Sequence, residues 1–346
     1  MRAVHMPFDQ VNPYQTALGD ALRELGVAVD FRPLSWRVRA GARGAEVLHI
    51  HWTYPLLGGS IGKFLLGYPF LAAQLVLLRA RGCRIVWTVH NLENHEKKRR
   101  LRQRLLSYLI GHVANKVIVH GQTARDAVKR HFRIPKRKIV VIPHGNFIGL
   151  YPDAIGRNPA RRALNLPDSA RVVLFLGNIR PYKGVNELIR VFKSAKAPDA
   201  ILLIAGRLLA GETEQRIRSE IADDPRIRLH PGLVAPHRIQ ILMNAADVVV
   251  LPYRDVLTSG AVVLAMSYGK PCVAPAIGCI ADVLDDRVGF LYGREDEQGL
   301  TRALNKALAA NGILEEMGRH NRARAEQWSW PRIAAATLQV YQNRAS

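Results

Sequence analysis

The chain has 346 residues, 48% of them hydrophobic and 23% charged, which excludes a disordered or low-complexity protein and exceeds one ordinary core, so two domains are expected. Lys and Arg number 50 against 28 Asp and Glu, a formal +22, and residues 1–150 alone hold 24 basic and 8 acidic side chains, a net +16. That half is built to face something negative: nucleic acid, anionic lipid or a phosphorylated substrate.

Strand-like apolar runs alternate with helical patterns, as in a parallel α/β protein. Strands are expected at 1–6, 26–31, 46–51, 84–89, 115–119 and 139–143, with helices such as Tyr14–Leu25 and Thr123–His131 among them. MRAVHMPFDQ has no apolar signal core, and Cys83, Cys272 and Cys279 have neither metal nor disulfide spacing, so a cytoplasmic, reducing setting is expected. The loop FDQVNPYQ after the first strand carries Asp9, Asn12 and Tyr14. HIHWTYP leaves the third strand directly into His51, Trp52 and Tyr54.

Ile61–Leu78 is strongly apolar, but Lys63, Pro69 and Gln74 interrupt it, and a buried or surface-lying helix is expected rather than a membrane span. TVHNLENHE then places His90, Asn91, Glu93, His95 and Glu96 after a strand. Aromatic rings beside imidazole and carboxylate at strand ends suit a sugar-binding wall with a general base. A metal could instead gather His90, His95 and Glu96, but their spacing does not put the two histidines on one helical face, so no metal is expected. Lys97–Arg100 opens a basic amphipathic stretch to Ile110, either a helix lying on anionic phospholipid or a solvated helix packed on its own domain; the +16 charge tilts the reading toward lipid. IPHGN puts His144 at the last strand end of this half.

Residues 1–150 thus read as one Rossmann-like domain and 151–169 as a polar linker. The alternation restarts in a second Rossmann-like domain, 170–325, with strands at 171–176, 200–205, 226–229 and 247–252 and helices at 184–194, 212–222 and 236–244. A C-terminal helix, 326–346, is expected to pack back toward the first domain, and a cleft is expected between the domains. In LFLGNIRPYKG, Gly177 allows close backbone approach at the strand's carboxyl end, where open α/β sheets bind ligands, and Arg180 and Lys183 follow. In VVVLPYRDVLTSGAVVLAMSYGKPCVA a strand stops at Pro252, Tyr253 follows, and Thr258, Ser259 and Gly260 open a helix. Taken alone this is an ordinary βα turn with a hydroxyl cap. Beside two cations it becomes a cradle for a nucleoside diphosphate, with free N–H groups and a positive dipole end.

These residues resemble the two-domain glycosyltransferases of the GT-B fold, two Rossmann-like domains facing each other across a cleft. The second half is similar to the retaining glycosyltransferase family 4 in Gly177–Gly184 and in its LPY and AMSYGKP segments. That family's two glutamates, eight apart, have Val256 and Leu264 in their places here, which points to an inverting enzyme whose base lies in the other domain. The chain also resembles glycosyltransferase family 94, the xanthan-type glycolipid β-mannosyltransferases. The likeness runs through Asn12-Pro13-Tyr14, His49–Trp52, His90-Asn91-Leu92, His95-Glu96, Ile179–Gly184, Leu251-Pro252-Tyr253 and Ser259-Gly260.

That resemblance implies inverting transfer of mannose from GDP-mannose to a polyprenyl-diphosphate-linked oligosaccharide, in bacterial exopolysaccharide synthesis at the inner face of the cytoplasmic membrane. No cofactor and no nucleic acid are expected; the partners are the nucleotide sugar, the lipid-linked acceptor and an anionic membrane surface. Gly177, Arg180, Lys183, Tyr253, Thr258, Ser259 and Gly260 are the candidate donor-binding residues. Asn12, Tyr14, His51, Trp52, His95 and His144 are the candidate acceptor-binding residues. The candidate base is Glu96, then His90, which could instead orient substrate, then Asp9. Two other readings stand: a retaining family-4-type enzyme using a UDP-sugar, and a non-catalytic basic GT-B protein that binds membrane or nucleic acid.

Overall fold

The computed structural model describes residues 1–9, 12–92, 100–209, 214–222, 224–310 and 312–343. The chain forms two units, Met1–Gly145 with Trp328–Ser346, and Asn146–Gln327.

Unit 1 runs β1 (Arg2–Met6), α1 (Pro13–Glu24), β2 (Ala28–Phe31), α2 (Val38–Gly41), β3 (Val47–Ile50), α3 (Ile61–Ala80), β4 (Arg84–Thr88), α4 (Arg100–Val113), β5 (Lys116–Val119), α5 (Gln122–Phe132) and β6 (Ile139–Val141). All pairings in its six-stranded sheet are parallel, in the order β2-β1-β3-β4-β5-β6. Strands such as Val47-Leu48-His49-Ile50 are buried on both faces, so they read as continuous runs rather than alternating ones. The order reverses beside β1, so the loops after β1 and β3 flank a switch point, where sheets of this kind bind ligands.

Unit 2 comprises α6 (Arg157–Ala163), β7 (Arg171–Leu176), α7 (Val185–Ser194), β8 (Ala200–Gly206), α8 (Glu214–Ile221), β9 (Ile227–Pro231), α9 (Pro236–Ala245), β10 (Val248–Val250), α10 (Gly260–Ser267), β11 (Cys272–Pro275), α11 (Ile280–Val283), β12 (Gly289–Tyr292), α12 (Gly299–Ala309) and α13 (Ile313–Glu326). Its parallel sheet is ordered β12-β11-β10-β7-β8-β9, with the switch at β7 and β10. The last helix, α14 (Trp330–Gln342), is part of unit 1 and packs on α1.

The expected strands and helices form with ends displaced by a residue or two, except the C-terminal helix, expected over 326–346 and found at Trp330–Gln342. The 151–169 linker does not stand as expected: this stretch is part of unit 2 and contains α6. The reason is Arg161, which is fully buried. Its guanidinium pairs with Asp247 at 2.8 Å and donates to the carbonyls of Asp168 and Ala170 at 2.7 and 2.9 Å, tying a polar segment to the foot of the sheet.

The apolar segment 61–78 forms the surface-lying helix α3. Among the described residues it is the one helix long and apolar enough to cross a bilayer, with a mean hydropathy of 1.6. One face packs inward through Phe64, Leu71, Leu75 and Leu78, while Ile61, Leu65, Leu66 and Phe70 stay exposed. Beside it, α4 exposes Leu101, Leu105 and Tyr108. The Tyr68 hydroxyl donates to the carbonyl of Leu105, and the Arg102 guanidinium lies 5.6 Å from the Phe64 ring centre.

Candidate functional site

The carboxyl edge of the unit 1 sheet is lined with imidazole. His51, His90, His120 and His144 follow β3, β4, β5 and β6, four neighbouring strands. Successive ring centres are 5.7, 5.2 and 5.4 Å apart. His5 and His49, within β1 and β3, lie beneath His51 at 5.1 and 4.2 Å. At the start of α1 the Tyr14 ring stands 4.9–5.9 Å from all four edge histidines, and Trp330 of α14 lies 5.4 Å from it. Trp52 stacks on His90 at 4.6 Å, and both line a small cavity with His51, Asn91, Gln103 and Ser107.

These imidazoles are neutral at pH 7. Burial is the leading cause, and neighbouring imidazoles add to it for His49, His51, His90 and His120. His5 and His120 are pushed down to about 3 and His144 to about 4, while His49, His51 and His90 also fall well below the ordinary value. His120 Nδ1 must donate to the Ile142 carbonyl at 3.0 Å, leaving Nε2 a bare acceptor, buried and without a partner among the described residues. One group among the described residues has metal-ligand spacing, His5, His49 and His51. Hydrogen bonds already engage the nitrogens of these three rings.

The other acceptor-side candidates divide. Tyr14 and His144 are buried in the imidazole cluster. Asn12 caps α1, its Oδ1 accepting from Tyr14 N at 3.1 Å, a structural task that leaves less of it for a ligand. Asp9 is half-buried, its backbone N–H donating to Gln15 Oε1 at 2.9 Å, and its carboxylate helps to raise the Tyr54 pKa, after burial. His95 and Glu96 lie outside the described residues. His5, His49, His120, Tyr341 and Trp330 were not among the candidates read from sequence. The first three sit in or directly after apolar strands, a usable signal; nothing local marks Tyr341 or Trp330, which come from the far end of the chain.

The unit 2 edge is cationic. After β7, Gly177 sits at φ +146° and the chain turns through Arg180 to Gly184, at φ +71°, where a Cβ would overlap the Pro252 carbonyl oxygen. That close approach brings Lys183 against Tyr253: Nζ lies 3.2 Å from the Tyr253 hydroxyl and 4.5 Å from its ring centre. Burial works against the Lys183 charge, but Tyr253 and Tyr182 overcome it and hold the pKa above its ordinary value. Ser259 Oγ lies 3.4 Å from the same hydroxyl and caps α10, accepting from Val262 N at 3.3 Å. Gly260 opens α10, leaving first-turn N–H groups for an anion. Thr258 donates to Cys279 Sγ at 3.7 Å. Lys183, Tyr253 and Ser259 therefore meet at one helix start; among the described residues Arg180 makes no hydrogen bond to them, though its charge acts on Lys183. Leu264 is buried within α10, and the Val256 carbonyl lies where a Cβ on Gly278 would fall, so neither place supplies a carboxylate.

Residues 156–324 match the family model for group 1 glycosyl transferases, and residues 25–145 match that for glycosyltransferase family 4. The GDP-mannose:glycolipid 4-beta-D-mannosyltransferase of Xanthomonas campestris pv. campestris is 28% identical over 344 residues, 97% of this chain and 89% of that one. The D-inositol 3-phosphate glycosyltransferase of Streptomyces avermitilis is 26% identical over 66% of this chain and 52% of its own. In structure the chain resembles sucrose-phosphate synthase from Thermosynechococcus elongatus, with a TM-score of 0.79, 18% identity and coverage of 99% and 98%. It also resembles Anabaena Alr3699/HepE in complex with UDP and glucose, with a TM-score of 0.76, 18% identity and coverage of 98% and 99%. With parallel six-stranded sheets in both units and glycosyltransferase family matches along both halves, the chain is a glycosyltransferase of the GT-B fold.

Proposed function

We propose that the enzyme transfers mannose from GDP-mannose, with inversion, to a polyprenyl-diphosphate-linked oligosaccharide, in bacterial exopolysaccharide synthesis at an anionic membrane surface. The observation that carries the donor half is the meeting of Lys183, Tyr253 and Ser259 at the start of α10. There a cation, two hydroxyls and free backbone N–H groups suit a diphosphate, and they stabilise the charge that develops as the glycosidic bond breaks. No metal is needed for that task. Mannose, the β linkage and a glycolipid acceptor are supported by the end-to-end likeness to the Xanthomonas enzyme.

Inversion is a single displacement that needs one base and no covalent nucleophile. It is supported by Val256 and Leu264, which place no carboxylate beside the donor residues. Unit 1 takes the acceptor and the base in this reading, with neutral imidazoles and the Trp52 ring forming its polar and stacking wall. Peripheral membrane attachment is supported by the exposed apolar side chains of α3 and α4 among basic ones such as Lys63, Arg100 and Arg104.

The deciding experiment offers GDP-mannose, UDP-glucose and UDP-glucuronate, with and without EDTA, together with polyprenyl-diphosphate-linked oligosaccharides. The expected outcome is a β-mannosyl product from GDP-mannose alone, unaffected by EDTA. An α-linked product, or transfer only from a UDP-sugar, sinks the reading.

A further inference from the structure

A single run of hydrogen bonds threads the core of unit 1. Thr88 Oγ1 lies 2.7 Å from His49 Nε2, and His49 Nδ1 lies 2.6 Å from the Tyr341 hydroxyl. That hydroxyl lies 3.0 Å from His5 Nε2. His5 Nδ1 meets His51 Nε2 at 3.3 Å, and His51 Nδ1 meets His90 Nε2 at 3.4 Å. Six side chains, on β1, β3, β4 and α14 or just past the ends of β3 and β4, are thus joined by five links, and the one ring nitrogen left outside the run is His90 Nδ1.

Each link holds one proton. The imidazoles are neutral, so each histidine brings one ring proton, and the two hydroxyls bring one each. Three arrangements satisfy every link: all protons point from Thr88 toward His90, all point the other way, or both rings beside Tyr341 donate to its oxygen and the proton of that fully buried hydroxyl is stranded. In the second, the Thr88 hydroxyl would accept from His49, and its own proton would be stranded. Thr88 is fully buried, and His49 is its one partner among the described residues. A buried hydroxyl with one partner, an imidazole nitrogen, gives up its proton to it.

We infer that Thr88 and Tyr341, two buried hydroxyls that must each place a proton, fix the direction of the whole chain, so that His90 is held with its proton on Nδ1 and offers a donor, not a lone pair, at the sheet edge. Resting on the reading of unit 1 as the acceptor side, this makes His90 a positioning group for an acceptor-sugar oxygen, beside the stacked indole of Trp52. It removes His90 as the base. The bare lone pair at the same edge belongs instead to His120 Nε2, 5.2 Å away measured between ring centres. His5, His49, His51 and His90 all become Nδ1–H tautomers, as do His120 and His144, whose Nδ1 atoms donate to backbone carbonyls at 3.0 and 2.7 Å.

Long-range proton–nitrogen correlation on the uniformly labelled full-length enzyme reads these tautomers directly and requires no turnover. Unprotonated Nε2 signals for His5, His49, His51 and His90 are expected; protonated Nε2 at His5, His51 and His90 overturns the proposal. Thr88→Val should raise the KM for the lipid-linked acceptor about tenfold, the worth of one hydrogen bond, and Thr88→Ser should restore it. His90→Asn, whose amide N–H stands near the Nδ1 place, should lose no more than about tenfold in kcat/KM. A fall of about a hundredfold or more in its kcat, with KM unmoved, is the mark of a lost base and overturns the assignment. Wild-type enzyme that consumes nucleotide sugar without ever using a lipid-linked acceptor would overturn the acceptor role of His90, while the tautomer result would stand on its own.

Discussion

The two units repeat one plan, a parallel six-stranded sheet with a switch point, yet furnish their carboxyl edges with opposite chemistry. Unit 2 brings a cation to a helix start: Lys183 keeps its charge because two tyrosines outweigh its burial. Unit 1 buries five imidazoles and half-buries a sixth, His90, and loss of solvent strips all six of charge. A basic chain has therefore placed neutral groups at the edge of its more basic half. The lesson is that net charge and site charge are separate properties. Among the described residues, the basic side chains of this half are exposed or half-buried, on helices such as α4 and α5, while the sheet edge presents donors and acceptors of hydrogen bonds.

Acid breaks this contrast most sharply. A buried histidine whose folded pKa lies below the unfolded 6.5 leaves the unfolded chain binding more protons under that pH. Its stabilising contribution is therefore complete above 6.5 and is lost as pH falls toward the folded value. His5 and His120, at about 3, and His144, at about 4, each contribute about 1.4 kcal/mol per pH unit in that window. Unit 1 should lose at least about 4 kcal/mol between pH 7.5 and 5.5, since His49, His51 and His90 add to these three, measured by urea midpoints and by amide exchange in β3, β4 and β5. In unit 2 burial lowers His230, which is only half-buried and lies outside β7 and β8, so those strands should keep most of their protection. Equal losses in both units would mean that the imidazole cluster is solvated.

Next in size is the cation. Lys183→Ala removes the charge facing the start of α10, and turnover of the donor should fall roughly 10²- to 10³-fold, with the thermal stabilisation by GDP reduced alongside. A loss under about threefold would show that the diphosphate sits elsewhere. Unit 1 should not notice the change, and its acid response is the control.

Much of this architecture was legible in sequence because each strand of a doubly covered sheet is a continuous apolar run, and a residue following such a run sits at the ligand edge. That rule alone finds His51, His90, His144, Gly177 and Tyr253. It applies equally to His120 after Val117-Ile118-Val119, which lacks the neighbouring aromatic or carboxylate that marks the other loops. Long-range pairings were not legible. Nothing near Tyr341 marks it as the middle of a chain between His49 and His5, 292 and 336 residues earlier. Nor does the composition of 151–169 reveal that Arg161 is buried, because a guanidinium satisfied by carbonyls and Asp247 reads as a surface cation.

The smallest predicted effect concerns the outer face, where the units differ again. Leu66 is 78% exposed in unit 1 and Leu233 65% exposed in unit 2, so by burial alone the two are equivalent. Their surroundings are not. Leu66 belongs to α3, which exposes Ile61, Leu65 and Phe70 as well and packs beside basic α4, whereas Leu233 and Ile313 are the exposed large hydrophobics of unit 2 among the described residues. Changing either to Ser should alter stability by no more than about 0.5 kcal/mol, since neither fills a core. On vesicles containing anionic phospholipid, Leu66→Ser should weaken binding about tenfold, because part of a leucine's transfer energy is withdrawn from the bilayer. Leu233→Ser should leave binding where it was. If both substitutions weaken it alike, attachment is general and the α3–α4 face has no special part in it; if neither does, the membrane is held by charge alone, and raising the salt should then release the protein.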